Sequence, residues 1–200
     1  MIFGSSSSIY GNRTNTPFSE NDEVNFPVSP YAASKRAAEL LINTYHHLYQ
    51  MDIINLRFFT VFGPRQRPDL AIYKFTDLIL NDQPVTVYGE GKSARDYTFI
   101  SDIVNGIMLS VSYLEKNKGV METVNIGNSY PVQLSSLVEQ LFFILEKPVT
   151  VRQLPFQAGD VEVTFADISK AGKLLGFLPA VRFNDGLKLF VDWFRNTHTR

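Results

Sequence analysis

A tyrosine and a lysine stand four residues apart in "SPYAASKRAAELL" (29–41), just inside a predicted helix. Residues at this spacing share one face of a helix, so the phenol of Tyr31 and the ammonium group of Lys35 can reach one site. A free phenol has a pKa of about 10 and is a poor base at neutral pH. A nearby lysine cation favours the phenolate and prepares it for proton transfer. The same spacing arises by chance in many helices, where it usually marks a surface pair.

Four consecutive serines precede this pair in "SSSSIYG" (5–11). They follow the apolar residues Ile2 and Phe3, which are typical of the end of a strand. Ligands bind at the carboxyl ends of the strands in open parallel sheets. A serine hydroxyl at that place can hold a substrate oxygen while its proton leaves, although a serine tract alone is more often a loop than a site.

The rest of the chain alternates predicted strands with predicted helices. Strand patterns are found at 52–62, 84–89, 122–128 and near 149–154. Helix patterns follow Ser29 and are also found at 71–80, 101–117, 135–147, 169–176 and 183–196. Ser29 and Pro30 suit a helix start, Ser101 can cap a later helix, and Ser136 with Glu139 fits a capping box. This alternation predicts an α/β fold with a parallel sheet.

The composition is that of an ordinary globular protein of 200 residues, with 44% apolar and 20% charged residues. A formal net charge of −1 gives no reason to expect nucleic acid or an anionic membrane surface as a partner. Cysteine is absent, which excludes disulfides and thiolate sites. No apolar run reaches the length of a membrane span and no signal-peptide pattern begins the chain, so we expect a cytoplasmic protein. The histidines, His46, His47 and His198, lack partners at metal-ligand spacing, so no metal site is predicted.

The motifs "SSSSIYG", "SPYAASK" and "LRFFTVFGP", in this order and at this spacing, resemble the extended short-chain dehydrogenase/reductase family. Within that family the chain is most similar to the nucleotide-sugar 4-epimerases, from Ser5 to about Arg195. The resemblance implies part of a Rossmann-type parallel sheet that binds NAD, together with a smaller α/β domain that binds the nucleotide sugar. Residues 1–62 and about 100–130 would belong to the NAD-binding part, and about 63–99 and 131–200 to the sugar-binding part.

The resemblance also implies catalytic roles. Tyr31 would be the catalytic base and acid, Lys35 would bind the nicotinamide ribose, and Ser6 would be the catalytic hydroxyl. Ser7 and Ser8 would contact the sugar. In the implied reaction, the tyrosine takes the proton of the sugar 4-hydroxyl while NAD⁺ accepts hydride from C4. The 4-keto sugar then turns over in the site, and the hydride returns to its other face.

The stretch "FFTVFGPRQRPDLA" (58–71) resembles a pattern of the epimerases that act on UDP-glucuronate. By this resemblance Phe58 and Phe59 would pack against the nicotinamide, Thr60 would contact the substrate, and Arg67 would face the sugar carboxylate. An arginine fork suits a carboxylate or a phosphate. A solvated basic loop is the alternative interpretation of the same arginine.

The stretch "VYGEGKSARDYTFISDI" (87–103) resembles the nucleotide-binding segment of the family. Arg95 would face the diphosphate, and Gln83, Val87 and Tyr88 would line the base pocket, although core packing explains the last two equally well. "GEGKSA" loosely fits a dinucleotide fingerprint, but "RDYTFI" is predicted to be extended, so no helix follows and the fingerprint is rejected.

The last motif, "PFQAGDVEVTFAD" (155–167), implies that Asp160 accepts a hydrogen bond from the nucleotide ribose. Gln157 stands where UDP-galactose epimerases usually carry arginine, which favours the acid sugar. The notable absence is the glycine fingerprint of the first strand–helix turn, with its acidic partner. We therefore expect the chain to be the C-terminal part of an epimerase, with an uncovered sheet edge, uncovered apolar faces and uncertain activity by itself.

Alternatives remain open at this point. A neutral UDP-sugar 4-epimerase uses the same core, as does a 4,6-dehydratase, although "SSSSIYG" lacks the Asp-Glu pair that a dehydratase needs. A non-catalytic module that binds nucleotide sugars is the alternative from another class. Family members commonly form dimers, so we also expect a homodimer through the Tyr31 helix and the 71–80 helix.

Overall fold

The computed structural model describes residues 1–155 and 162–198. The strands are β1 (Ile2–Ser6), β2 (Ile53–Phe58), β3 (Thr60–Phe62), β4 (Val85–Tyr88), β5 (Ala94–Phe99), β6 (Met121–Ile126), β7 (Pro131–Gln133) and β8 (Val151–Leu154). The helices are α1 (Pro30–Tyr49), α2 (Ala71–Leu80), α3 (Ile100–Lys116), α4 (Leu134–Leu145), α5 (Ser169–Leu175) and α6 (Phe183–His198). A short 3-10 helix, Ser7–Tyr10, directly follows β1.

Strands β1, β2 and β6 form a parallel sheet in that order. Its register places Ser5 of β1 beside Arg57 of β2, and Arg57 beside Asn125 of β6. Apolar residues of β2 and β6 form one core with α3 and α5, which includes Ile54, Leu56, Ile103, Val124, Ile126 and Ala171. In the part of the chain that the structure describes, β1 is an edge strand with β2 as its neighbour. The carboxyl ends of β1 and β2, which carry Ser6 and Phe58, therefore lie at one edge of this sheet.

A second core lies around the remaining strands. Strand β5 pairs in parallel with β3 and antiparallel with β7, while β4 pairs in parallel with β8. Helices α2, α4 and α6 cover these strands with apolar side chains such as Ile79, Leu141 and Phe190. The aromatic ring of Phe62 is buried there, in edge contact with Phe99. Mixed helices and parallel strands confirm the predicted α/β fold.

The predicted single strand at 52–62 was wrong, because the structure divides it at Phe59. Strand β2 belongs to the first sheet, whereas β3 pairs with β5 in the second. The backbone N–H of Phe59 donates to the carbonyl of Ile126, and its ring is buried with Ile9 and Phe18 in a third apolar cluster. Both halves of the stretch are apolar, so the sequence contains no signal for the change of sheet.

Two helix starts also differ from the prediction. Helix α3 begins at Ile100, directly after β5, and α4 begins at Leu134, directly after β7. No side-chain hydrogen bond caps either helix, so Ser101 and Ser136 are not the caps. Each strand runs into its helix without a turn, which leaves no loop residue in the capping position. By contrast, Ser29 caps α1 as predicted, with its Oγ accepting the N–H of Ala32 at 3.1 Å.

In residues 1–155 and 162–198, none of the helices combines the length and apolar character that crossing a membrane requires.

Candidate active site

The serine tract turns the chain away from the sheet. Strand β1 ends at Ser6, whose Oγ accepts hydrogen bonds from the N–H of Ser8 at 3.2 Å and from the Ser8 hydroxyl at 3.0 Å. Ser6, Ser7 and Ser8 are all half-buried, so their hydroxyls lie at the surface of the strand end rather than inside the core. This arrangement caps the 3-10 helix and fixes the backbone of the tract.

The tyrosine and the lysine lie beside this strand end. Lys35 Nζ donates to the carbonyl oxygen of Gly4 at 2.8 Å, and it lies 5.8 Å from the centre of the Tyr31 ring. It also lies 5.2 Å from the centre of the Phe3 ring. Tyr31 is 56% exposed, so its phenol is open to a ligand. The structure thus brings together the lysine, the tyrosine and the carboxyl end of β1, which the sequence separates by about 25 residues.

The residues after β2 have different environments. Phe58 is half-buried, and its ring lies next to Gly4. A Cβ atom added to Gly4 would lie 3.3 Å from Phe58 Cε2. Phe59 is only 4% exposed and its ring packs 6.3 Å from those of Tyr10 and Phe18. Phe58 therefore presents a surface beside the strand end, whereas Phe59 is a core residue in this structure. Thr60 begins β3 and is half-buried beside Tyr97.

Arg67 lies in the exposed loop between β3 and α2. Its Nη2 forms an ion pair with Asp69 Oδ2 at 3.2 Å, and both side chains are largely exposed. An exposed pair of this kind contributes little to stability and can exchange partners easily. Arg67 is accordingly available to an anionic group that approaches the loop.

The segment predicted to bind the nucleotide includes β4 and β5. Tyr88, the last residue of β4, lines a cavity of about 360 Å³ together with residues of the turn before β5, such as Ser93, and with Glu162. Gln83 is exposed before β4, and Val87 is buried in the second core. Of the three residues predicted to line the base pocket, Tyr88 alone lines this cavity. "GEGKSA" leads into β5 and not into a helix, as predicted.

Arg95 and Asp96 lie on opposite faces of β5. Arg95 Nη1 donates to the carbonyl oxygens of Ala94 at 3.1 Å and Glu162 at 3.4 Å. The buried carboxylate of Asp96 accepts backbone N–H groups from Asn128, Ser129 and Ala166. Burial raises the pKa of Asp96, although these hydrogen bonds act in the opposite direction. Asp96 thereby fastens the loop after β6 to β5.

Two predicted contacts, Gln157 and Asp160, lie outside the residues that the structure describes. In the described ranges, no group of three histidine or acidic side chains could hold a metal ion.

The comparison with known proteins decides the family. The sequence pattern of the GDP-mannose 4,6 dehydratase family matches residues 1–190. The chain belongs to this family.

Relatives of this chain support the predicted resemblance to nucleotide-sugar 4-epimerases. UDP-glucuronate 4-epimerase of Thermodesulfobacterium geofontis is 42% identical over 194 residues, which cover 96% of this chain and 58% of that protein. The structure of UDP-glucuronic acid 4-epimerase from Bacillus cereus, in complex with UDP-glucuronic acid and NAD, is 35% identical with a TM-score of 0.91. That match covers 98% of this chain and 62% of the Bacillus chain.

A third relative has a neutral sugar bound. The structure of UDP-glucose 4-epimerase from Thermotoga maritima with UDP-glucose is 30% identical, with a TM-score of 0.89 over 98% of this chain and 63% of that one. The chain therefore spans about three fifths of the length of the relatives it matches. The family resemblance and the fold class predicted from the sequence are confirmed.

A buried polar cluster next to the candidate site was missed by the sequence analysis. Arg57 of β2 donates from Nε to Glu39 Oε1 at 3.0 Å and from Nη2 to Oε2 at 2.9 Å. Glu39 Oε1 also accepts the hydroxyl of Ser5 at 2.7 Å. Arg57 Nη1 donates to the Tyr10 hydroxyl at 3.0 Å, which in turn donates to Asn125 Oδ1 at 2.7 Å. We call these five residues the Glu39–Arg57 network.

The network keeps its charged and neutral groups in defined states. Burial alone would raise the pKa of Glu39, but the hydrogen bonds and charge of Arg57 outweigh it, with help from Ser5, and lower that pKa. Burial raises the pKa of Tyr10 to about 12, so the Tyr10 hydroxyl stays protonated. One signal in the sequence could have indicated the pair. An arginine in the apolar run "IINLRFF" needs an acidic partner if the strand is buried, and Glu39 is on the Tyr31–Lys35 face of α1.

Proposed function

We propose that the full-length protein is an NAD-dependent UDP-sugar 4-epimerase in which Tyr31 is the acid and base. The observation that supports this most strongly is the position of Lys35. Its ammonium group donates to the carbonyl of Gly4 and lies 5.8 Å from the centre of the Tyr31 ring. Gly4 is two residues before Ser6 in β1. A lysine cation beside a phenol, with a hydroxyl nearby, suits proton removal from a sugar alcohol.

The tyrosine, the lysine and the serines have separate roles in the proposed reaction. The phenolate oxygen of Tyr31 takes the proton from the sugar 4-hydroxyl and later returns it. The ammonium group of Lys35 offers hydrogen-bond donors to a ribose. The hydroxyl of Ser6 holds the sugar oxygen, while Ser7 and Ser8 contact the sugar. When bound, NAD supplies the reversible hydride acceptor for C4.

The described residues fit only one end of that cofactor. Lys35 and Tyr31, together with the half-buried ring of Phe58 next to Gly4, would hold the nicotinamide and its ribose. The chain has no glycine fingerprint for the pyrophosphate. This chain covers only about three fifths of its relatives, so we propose that turnover requires a longer, full-length protein.

For the sugar, we propose UDP-glucuronate, which would be converted to UDP-galacturonate. Arg67 is exposed, and its ion pair with Asp69 can open for a sugar carboxylate. Tyr88 and Arg95 would contact the nucleotide, Asp160 would accept a hydrogen bond from its ribose, and Gln157 would be a further substrate contact. The relative with UDP-glucuronic acid bound supports this choice, while the Thermotoga relative keeps a neutral UDP-sugar as the second candidate.

A 4,6-dehydratase, the activity after which the family is described, is less well supported because the serine tract lacks the Asp-Glu pair. We also propose a homodimer through the exposed face of α1. The structure does not favour α2 for this role, because its apolar residues are buried in the second core.

The first experiment mixes the full-length protein with NAD⁺ and either UDP-glucuronate or UDP-glucose and follows the C4 epimer by NMR. We expect turnover of UDP-glucuronate, and Tyr31→Phe should abolish it while UDP binding stays nearly unchanged. Retained turnover in Tyr31→Phe would overturn the catalytic assignment. Binding of UDP without turnover by the unaltered protein would favour the non-catalytic module.

A second measurement tests the sugar. Arg67→Ala should weaken the binding of UDP-glucuronate much more than the binding of UDP-glucose, because only UDP-glucuronate carries the carboxylate that the guanidinium would bind. The matched control is Arg65→Ala, in the same loop. Equal losses on both sugars in Arg67→Ala would contradict the assignment.

A further inference from the structure

Helix α1 carries the two residues on which the proposed reaction depends, yet it has little apolar packing. Of the 20 residues of α1, only Ala32 and Glu39 are buried. Ala38 and Ile42 are half-buried, so the apolar contacts of α1 are few and contribute little to fixing the rotation of the helix about its axis. The hydrogen bond from Lys35 to the Gly4 carbonyl is exposed to solvent, so its net contribution to stability is modest.

The other buried contact of α1 is charged and multiply bonded. Glu39 follows Lys35 by four residues and Tyr31 by eight, so the three side chains lie on one face of the helix. Its carboxylate receives two hydrogen bonds from Arg57 and one from Ser5. Charge-assisted bidentate bonds of this type have defined geometry as well as strength.

The partners of Glu39 come from the other segments of the site. Ser5 directly precedes Ser6, and Tyr10 ends the 3-10 helix that contains Ser7 and Ser8. Arg57 directly precedes Phe58 in β2. Ser5, Arg57 and Asn125 are register neighbours across the three strands, so the network joins α1 to the whole width of the sheet.

We propose that Glu39 and Arg57 are positioning residues, which set the distance between the Tyr31–Lys35 pair and the serine hydroxyls. This inference rests on the proposed function for its kinetic consequence. Neither residue touches a reacting atom in it. Displacement of a reacting group by about 1 Å can lower a rate by about 100-fold. The substrate contacts themselves would be little affected.

The test compares a double variant of the full-length protein, Glu39→Met with Arg57→Met, with the unaltered protein. Replacement of a buried ion pair by apolar residues of similar size often preserves stability. We expect a thermal midpoint close to that of the unaltered protein, a kcat about 10- to 100-fold lower, and a KM for the UDP-sugar changed less than about threefold. A well-folded double variant with kcat within about threefold of the unaltered protein would overturn the proposal.

Arg36→Gln is the matched control. Arg36 contacts Glu39 from the solvent side at 3.3 Å, and its removal leaves the Arg57 bonds in place. We expect unchanged kcat and KM. If the double variant does not fold, Glu39→Asp replaces it, because this change keeps the charge and shortens the side chain by one methylene. An unaltered kcat in Glu39→Asp would then count against the positioning role, and a fall of about tenfold or more at constant KM would support it.

Hydrogen exchange provides a measurement that does not depend on activity. In the double variant, or in Glu39→Asp in its place, the amides of residues 5–11 and of the first turn of α1 should exchange faster, while those of α4 stay unchanged. Unchanged exchange in residues 5–11 would overturn the inference. If the unaltered protein turns over no UDP-sugar, the proposed function fails, and the exchange result alone decides whether the network positions these segments.

Discussion

Helices α1 and α2 are both amphipathic, but they are held in the protein in different ways. Helix α2 buries Ile72, Phe75 and Ile79 in the second core. Helix α1 leaves its large apolar residues exposed, including Leu40, Leu41, Tyr45, Leu48 and Tyr49, and is held by the Glu39–Arg57 network. The helix with the candidate catalytic pair is thus fixed by polar contacts, and its apolar face remains available to another surface.

The largest effect on stability is expected from Glu39→Gln. The variant leaves the buried charge of Arg57 without its counter-charge, and breaking a buried pair in this way costs about 3–5 kcal/mol. Urea unfolding at neutral pH would measure the loss. A loss below about 1 kcal/mol would mean that the network adds little to the attachment of α1.

The same residue predicts a dependence of stability on pH. The pKa of Glu39 is lower in the folded protein than its ordinary value of about 4.3, so its stabilisation is fully present above that pH. The stabilisation is lost as the pH falls through the folded value. The difference in unfolding free energy between the unaltered protein and Glu39→Gln should therefore shrink as the solution is acidified below about pH 4.3. A constant difference down to pH 3 would contradict the ion pair.

A core truncation in α2 is expected to have the next largest effect. Ile79 is 1% exposed, and Ile79→Ala removes buried methyl groups and leaves a cavity, which should cost about 2–5 kcal/mol. The same urea experiment applies. If the loss were within 0.5 kcal/mol, the second core would not enclose α2 as the structure shows.

The smallest effect is expected from Leu48→Ala, the counterpart in α1. Leu48 is 66% exposed, and leucine and alanine are both good helix formers, so stability should change by less than about 0.5 kcal/mol. This expectation applies to dilute protein, and urea unfolding of the 200-residue chain at low and at high protein concentration measures the effect. A larger loss at high concentration alone would show that a second copy covers this face, and a larger loss in dilute protein would contradict the exposure of Leu48.

The sequence was informative wherever the relevant signal is local. The start of α1 at Ser29 and Pro30, and the shared face of Tyr31 and Lys35, depend on residues within one or two helical turns. The family followed from motifs that are continuous in the chain. Even the rejection of "GEGKSA" as a fingerprint needed only the extended pattern of the residues that follow it.

The local sequence pattern did not predict the structure where neighbouring residues pack against different parts of the fold. The stretch 52–62 is apolar throughout, so its division between two sheets at Phe59 could not be seen. The apolar stripes of α1 and α2 look alike in the sequence, and only their places in the fold show that one is buried and the other exposed. The caps proposed at Ser101 and Ser136 failed because strands lead directly into α3 and α4.

The sequence by itself determined the α/β class, the family and the candidate catalytic pair, because short-range spacing and continuous motifs carry that information. The tertiary structure decided which side chains surround this pair. Glu39 and Arg57 are 18 residues apart, and Tyr10 and Asn125 are 115 apart. Contacts over such distances form only when particular strands become neighbours in a particular register, and no local pattern of residues encodes that pairing.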